Sequence, residues 1–176
     1  MARGLATVAV LTAALGASGC GYALAGRGST LPTYIKNVHI PPLENRTNVS
    51  RLETVLTDRI REEFIGRGKY QLVQDEAAAD AQLKGEVVAF TLQTSGLNQQ
   101  QLSSRYLVII VLKVSFIDLK NKEVLWSNDA LTFRDEYQFS TGGVIATTLL
   151  DQERSTMTRI ATDASRTIVT AIMEAF

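Results

Sequence analysis

Between Arg105 and Asp118 the chain alternates strictly, with Tyr106, Val108, Ile110, Leu112, Val114 and Phe116 on one parity. Successive side chains of a strand point to opposite faces, so these six share one side of a β-strand and that side belongs in a core. The other parity holds Arg105, Leu107, Ile109, Val111, Lys113, Ser115 and Ile117, so its middle is apolar as well. With helices on only one side of the sheet, that second face would be wet. Two explanations stand: another helix or loop covers it, or it is a surface for a partner.

The remaining pattern fits around this strand. Tyr34 to Leu43 reads as a first strand through Ile35, Val38 and Ile40, closed by Pro41-Pro42, which lack amide donors. Asn45 to Ser50 is turn material, and Ser50 with Glu53 has the spacing of a capping box. A helix follows with Leu52, Leu56, Ile60 and Phe64 at helical spacing, and Gly66 and Gly68 stop it. Tyr70 to Val73 is a short strand, Asp75 to Ala79 a turn or brief helix, and Ala81 to Thr94 a longer strand in which Gly85 suggests a bulge. Ser95 to Ser103 reads as a long polar hairpin loop.

Lys120-Asn121-Lys122 then predicts a tight hairpin into a strand from Glu123 to Phe139, where Val124 and Trp126 follow one parity and Leu131 and Phe133 the other. A bulge near Asn128 accounts for the change, and Thr141-Gly142-Gly143 ends the strand. From about Leu149 to Phe176, Met157, Ile160, Ala161, Ala164, Ile168, Ala171 and Ile172 form one stripe of a long helix. The element order implies an α+β two-layer fold, two helices over one mixed sheet.

The amino terminus differs in character: Met1 to Arg3 give a basic start, Leu5 to Leu15 an apolar run, and small residues lead to Cys20. That run is shorter than the about 20 residues of a membrane-spanning helix, so it reads as an export signal. Ala17-Ser18-Gly19-Cys20 resembles a lipobox, which would make Cys20, the single cysteine of the chain, the acylated first residue of the mature protein. Lipidation also disposes of a lone thiol in an oxidising compartment. Gly21 after the cysteine, under the usual sorting convention for lipoproteins, favours the outer membrane and its periplasmic side. The expected organisation is therefore a signal peptide over residues 1–19, a lipidated tether over 20–32 and one domain over 33–176.

Eighteen basic and eighteen acidic side chains cancel, leaving no field that favours nucleic acid. The one histidine, His39, lies inside the first strand and suits a structural role. No second histidine or cysteine is present to complete a zinc site, and the paired carboxylates Glu62-Glu63 and Asp135-Glu136 splay apart on their elements. Gly26-Arg27-Gly28 and Gly66-Arg67-Gly68 are not phosphate loops, since neither opens a helix after a strand. The expectation is a binding module with no catalytic residues, metal or cofactor.

The mature chain resembles the lipopolysaccharide-assembly lipoprotein family LptE. The likeness is carried by Cys20-Gly21-Tyr22 with Leu24 and Gly26, Leu31-Pro32 with Ile35-Lys36, then Val38, Ile40-Pro41, Asn45 and Thr47. Leu52-Glu53, Leu56-Thr57 and Glu63-Phe64 continue it, whereas beyond the first third the agreement is in element order and the strand opening at Tyr106. The resemblance implies two helices on a four-stranded, mostly antiparallel sheet. It also implies a non-enzymatic protein that plugs the outer-membrane barrel LptD one to one and helps deliver lipopolysaccharide to the outer leaflet.

Anionic lipid phosphates call for charge-assisted donors. Arg105 and Lys113 share the outer strand face with Leu107, Ile109 and Val111, and Arg134 is a third candidate. Leu107, Ile109 and Val111 are the expected partner-facing residues. The loop Ser95 to Ser103 carries no basic residue, which speaks against a phosphate site there. A second resemblance, over Val38 to Thr47, the following helix and Tyr70 to Val73, is to regulatory or secretion lipoproteins similar to CsgG and LpoB. Secretion relatives need a membrane-inserting segment, and Ser95 to Ser103 is too short and polar to supply one.

Overall fold

The computed structural model describes residues 31–97, 103–138 and 146–175. The signal and lipobox with Cys20, the tether up to residue 30, and Thr141-Gly142-Gly143 lie outside them. In chain order the elements are β1 (Asn37–His39), β2 (Glu44–Asn45), α1 (Leu52–Gly66), β3 (Gln71–Val73), a single 3-10 turn (Glu76–Ala78), β4 (Ala81–Leu97), β5 (Ser103–Asp118), β6 (Glu123–Gln138) and α2 (Ala146–Glu174). The six strands make one sheet in the order β3-β1-β4-β5-β6, with β2 pairing β4 beyond β1.

The two-layer α+β architecture agrees with the pattern, but the sheet is mixed and larger than the four mostly antiparallel strands the resemblance implies. The parallel part comes from the chain path. Helix α1 carries the chain back between β1 and β3, so these pair parallel, and β1 and β2 also run parallel to β4. The segment read as one strand, Tyr34 to Leu43, is two short pieces, because Pro41 and Pro42 cannot donate to a ladder. Side chains satisfy the backbone across this gap. Arg61 donates from Nε (3.0 Å) and a terminal nitrogen (2.6 Å) to the Ile40 carbonyl, and the Leu43 amide donates to Thr57 Oγ1 at 3.0 Å.

Both helices lie on the even-numbered face of β5, where Val108, Ile110, Leu112, Val114 and Phe116 are buried. Leu52, Leu56, Ile60 and Phe64 of α1 and Ile160, Ala161, Ala164, Ile168 and Ile172 of α2 complete one core with them. Phe64 stacks on Phe116 with ring centroids 6.1 Å apart and meets Tyr70 edge-on at 6.3 Å. Gly68, at φ +67°, ends α1 by donating to the Ile65 carbonyl.

Several local expectations change. The capping box of Ser50 and Glu53 is not formed: the residue before the helix is Arg51, at φ 68°, and no side chain caps the first turn. Glu53 is drawn away, because Asn45 Nδ2 donates to its carboxylate at 2.6 Å and to the Val49 carbonyl at 2.8 Å. Asn45 Oδ1 in turn accepts from the Thr47 amide and hydroxyl, so one asparagine organises the whole entry loop. Gly85 is not a bulge either. The bulged residue on β4 is Val88, and a Cβ on Gly85 would lie 2.8 Å from Leu43 Cγ, so the glycine makes room for the chain entering β2.

On β6 the expected irregularity is present, with Leu112 opposite Leu131 but Val114 opposite Asn128. A second shift puts Val124 opposite Ile117 and Trp126 opposite Phe116, so Val124 and Trp126 face opposite sides despite their shared parity. Strands β4 and β5 also run further than read, to Leu97 and from Ser103, which narrows the loop to residues 98–102, outside the described residues. That stretch of β4 is polar with both faces wet from Thr91 to Thr94, so it has no apolar rhythm to read.

Replacing Gly85 with Ala drives a methyl group into Leu43, and overpacking of this kind costs about 1–3 kcal/mol. Urea unfolding should show that loss for Gly85→Ala. The double variant with Leu43→Ala should be less destabilised than the sum of the two single changes, since the pair shares one space.

Candidate functional site

The outer face of the sheet is where the residues singled out in the sequence come together. Register across β4, β5 and β6 gives rows of neighbours: Gln93, Leu107 and Glu136; Thr91, Ile109 and Arg134; Ala89, Val111 and Thr132. Leu107, Ile109 and Val111 are half-buried, while Thr91, Gln93, Thr132, Arg134 and Glu136 on either side are exposed. The result is an apolar ridge one strand wide between two polar rails. Both helices pack on the opposite face.

At its base this face is partly covered. Gln82, paired with Ile117, is buried, and its Nε2 donates to Glu76 of the 3-10 turn at 3.0 Å. Of the two explanations offered for the second apolar face, covering by a turn holds at the base, and the middle of the face stays open. Residues 75–79 give no apolar pattern that would have predicted this.

Of the three cations, Lys113 already has a partner, its Nζ lying 2.9 Å from Asp129 at the β6 bulge, with both side chains well exposed. Such a pair contributes about 0–1 kcal/mol and exchanges readily with another anion. Arg105 and Arg134 are exposed and form no ion pair among the described residues, unlike Arg46, Arg59, Arg61, Arg67 and Arg159. His39 is held in the sheet, with Nδ1 3.0 Å from the Val73 carbonyl. Among the described residues no three His, Cys, Asp or Glu side chains converge as a metal site, and no helix is long and apolar enough to cross a membrane.

At the base of the sheet a polar lock, not foreseen from the sequence, ties the first described segment to the β5–β6 turn. Tyr34 donates its hydroxyl to Asp118, whose other carboxylate oxygen accepts from the amides of Lys120 (2.8 Å) and Asn121 (3.1 Å). Asp80 accepts from the amides of Lys36 and Asn37 and from Lys120 Nζ at 2.6 Å. Burial pushes the Asp118 carboxyl upward, and its hydrogen bonds from Tyr34, Asn121 and Lys120 more than offset this and hold it below its ordinary value. Lys120 first, then the Asn37 and Lys36 amides, lower Asp80 to about 2. The bond to Asp118 is the main cause that raises the Tyr34 hydroxyl.

The lipopolysaccharide-assembly family model LptE matches residues 35–172. The chain belongs to this family. The LptE match spans both helices and all six strands, so it joins the quoted first third to the later elements that carried little specific likeness. No curated protein matches the chain. Among solved structures, an uncharacterized lipoprotein B from Nitrosomonas europaea is similar at 14% identity and TM-score 0.57, covering 87% of this chain and 90% of that one. A hypothetical protein from Chlamydia trachomatis is similar at 12% identity and TM-score 0.57, covering 79% and 96%. PelC from Paraburkholderia phytofirmans, a dodecamer, is similar at 15% identity and TM-score 0.52, covering 84% and 95%. At these identities the likenesses establish the fold, and the family membership makes this a lipoprotein of lipopolysaccharide assembly and outer-membrane biogenesis.

Asp80 binds its proton more weakly folded than unfolded, so its contribution is fully present above pH 3.8 and is lost as pH falls toward about 2. Melting temperatures over that window should fall steeply for the native protein and less steeply for Asp80→Asn. Equal slopes would mean that the lock does not stabilise the fold.

Proposed function

We propose that this LptE-family chain is held at the periplasmic side of the outer membrane by acylation of Cys20 and acts without catalysis as the plug of an LptD-type β-barrel, one to one. In that position it takes part in moving lipopolysaccharide to the outer leaflet. The observation that carries the reading is the open outer face, an apolar ridge of Leu107, Ile109 and Val111 bounded by Thr91, Gln93, Thr132, Arg134 and Glu136. The lumen wall of an outer-membrane barrel is polar, so its occupant needs a surface of mixed polarity, and this face has one. Arg105 and Arg134, exposed and without an ion pair among the described residues, are the donors placed to meet lipid phosphates, and Lys113 joins them by exchanging Asp129 for the lipid.

Purification of the full-length lipidated protein from its own outer membrane in mild detergent tests the partner. A stoichiometric barrel of LptD type is the expected companion. Recovery with a cell-wall synthase, or as a homo-oligomeric ring without a barrel, would replace this reading with that of a CsgG-like or LpoB-like lipoprotein.

Substitution Ile109→Asp separates partner surface from core. The new carboxylate stands in the same row as Arg134, which offers it a counter-charge, so stability should change by only about 1 kcal/mol. Barrel recovery should fall several-fold. A loss of folding as large as a buried-core substitution produces would assign Ile109 to ordinary packing.

A further inference from the structure

Strand β4 has a free edge that differs from the other long edge of the sheet. Its first residues pair with β1 and β2 as far as Val87, and beyond Val87 no strand lies on that side among the described residues. After the bulge at Val88 the register with β5 runs unbroken from Ala89 through Gln93, so one row of backbone amides and carbonyls faces outward along a regular strand. Val88 is 41% and Leu92 49% exposed. From Val87 to Ser104 the chain carries no charged residue and no proline.

Edges left to water are normally blunted by charge, proline or bulges. The β6 edge is treated in this way, with two register shifts and with Glu123, Asp129, Arg134, Asp135 and Glu136 along it. Between Ala89 and Gln93 the β4 edge has none of these devices, its register shifts lying at Val88 and beyond Thr94, which marks this stretch as an edge meant to be paired. A row of backbone donors and acceptors at strand spacing is matched by another extended backbone.

We infer that the β4 edge from Ala89 to Gln93 receives an extended, uncharged segment of the barrel partner as an added β-strand, an inference that rests on the plug reading above. At about 3.4 Å per residue this edge is roughly 17 Å long. It therefore offers far less than the about 1,200 Å² that a stable interface buries, and cannot by itself hold a second copy of the chain. It suits a segment delivered by a partner already held elsewhere, at an effective concentration in the millimolar range. The edge and the open face are continuous, since Thr91 and Gln93 stand in the rows of Ile109 and Leu107. Cross-strand pairing sets the segment's pattern: apolar side chains beside Phe90 and Leu92, small polar ones beside Thr91 and Gln93.

Hydrogen exchange read by mass spectrometry on the lipidated complex, and on the protein alone at two concentrations, tests this. Backbone amides in 89–93 should exchange at least about tenfold more slowly in the complex than alone. The variant Leu92→Lys, on the side of the sheet opposite the ridge and half exposed, should still co-purify with the barrel but lose that protection. A complex that forms without protection at 89–93 overturns the edge assignment and leaves the plug reading standing. Failure to recover any barrel removes both. Protection that grows with concentration in the protein alone gives the edge to a second copy and overturns the proposal.

Discussion

The stack of Phe64 on Phe116 sets the terms for the rest of the molecule, because it joins α1 to β5, the central one of the three long strands, on one face only. A strand as apolar as β5 has two faces to dispose of, and the two α-helices among the described residues are both committed to the even-numbered side. Once Phe64 and the α2 stripe of Ile160, Ala164 and Ile168 are seated there, Leu107, Ile109 and Val111 are left on the other side. Burying an apolar side chain contributes about 1.5–3 kcal/mol, so a ridge of three half-buried ones is a standing incentive for association.

In the sheet's parallel half, side chains supplement short ladders of backbone hydrogen bonds. Pro41 and Pro42 interrupt the first strand, and every buried backbone group there needs another partner. Arg61 serves the Ile40 carbonyl, Thr57 serves the Leu43 amide, and Asn45 arranges the loop that follows. At the base, Asp80 and Asp118 collect backbone amides from two chain segments that are distant in sequence. These carboxylates are low in pKa because they are structural acceptors with several donors each. Their perturbation reflects how the fold is fastened and does not mark a catalytic centre.

The long β4–β5 hairpin reaches past the helices, and from Thr91 to Thr94 both of its faces are wet. That projection brings the β4 edge, the apolar ridge and the exposed Arg105 and Arg134 into one continuous region. On the proposed plug reading such a surface matters more than a pocket, since the proposed partner is another polypeptide. The groove between the start of α1 and the middle of α2, lined by Arg51, Val55, Arg154 and Met157, lies away from this region.

Periodicity alone carried the core of β5 and the stripes of both helices, because burial on one face writes itself directly into spacing. The quoted residues of the first third identified the family for the same local reason. Spacing could not show that Glu53 would be claimed by Asn45, that Gly85 makes room for Leu43, or that Val124 and Trp126 part company at a bulge. Nor could it count the strands, since β1 and β3 become neighbours only when α1 folds back over the sheet. Which residues share a face is a property of one element and its period. What covers that face, which edge stays open and which charge finds a partner depend on segments brought together from far along the chain, and only the tertiary structure decided them.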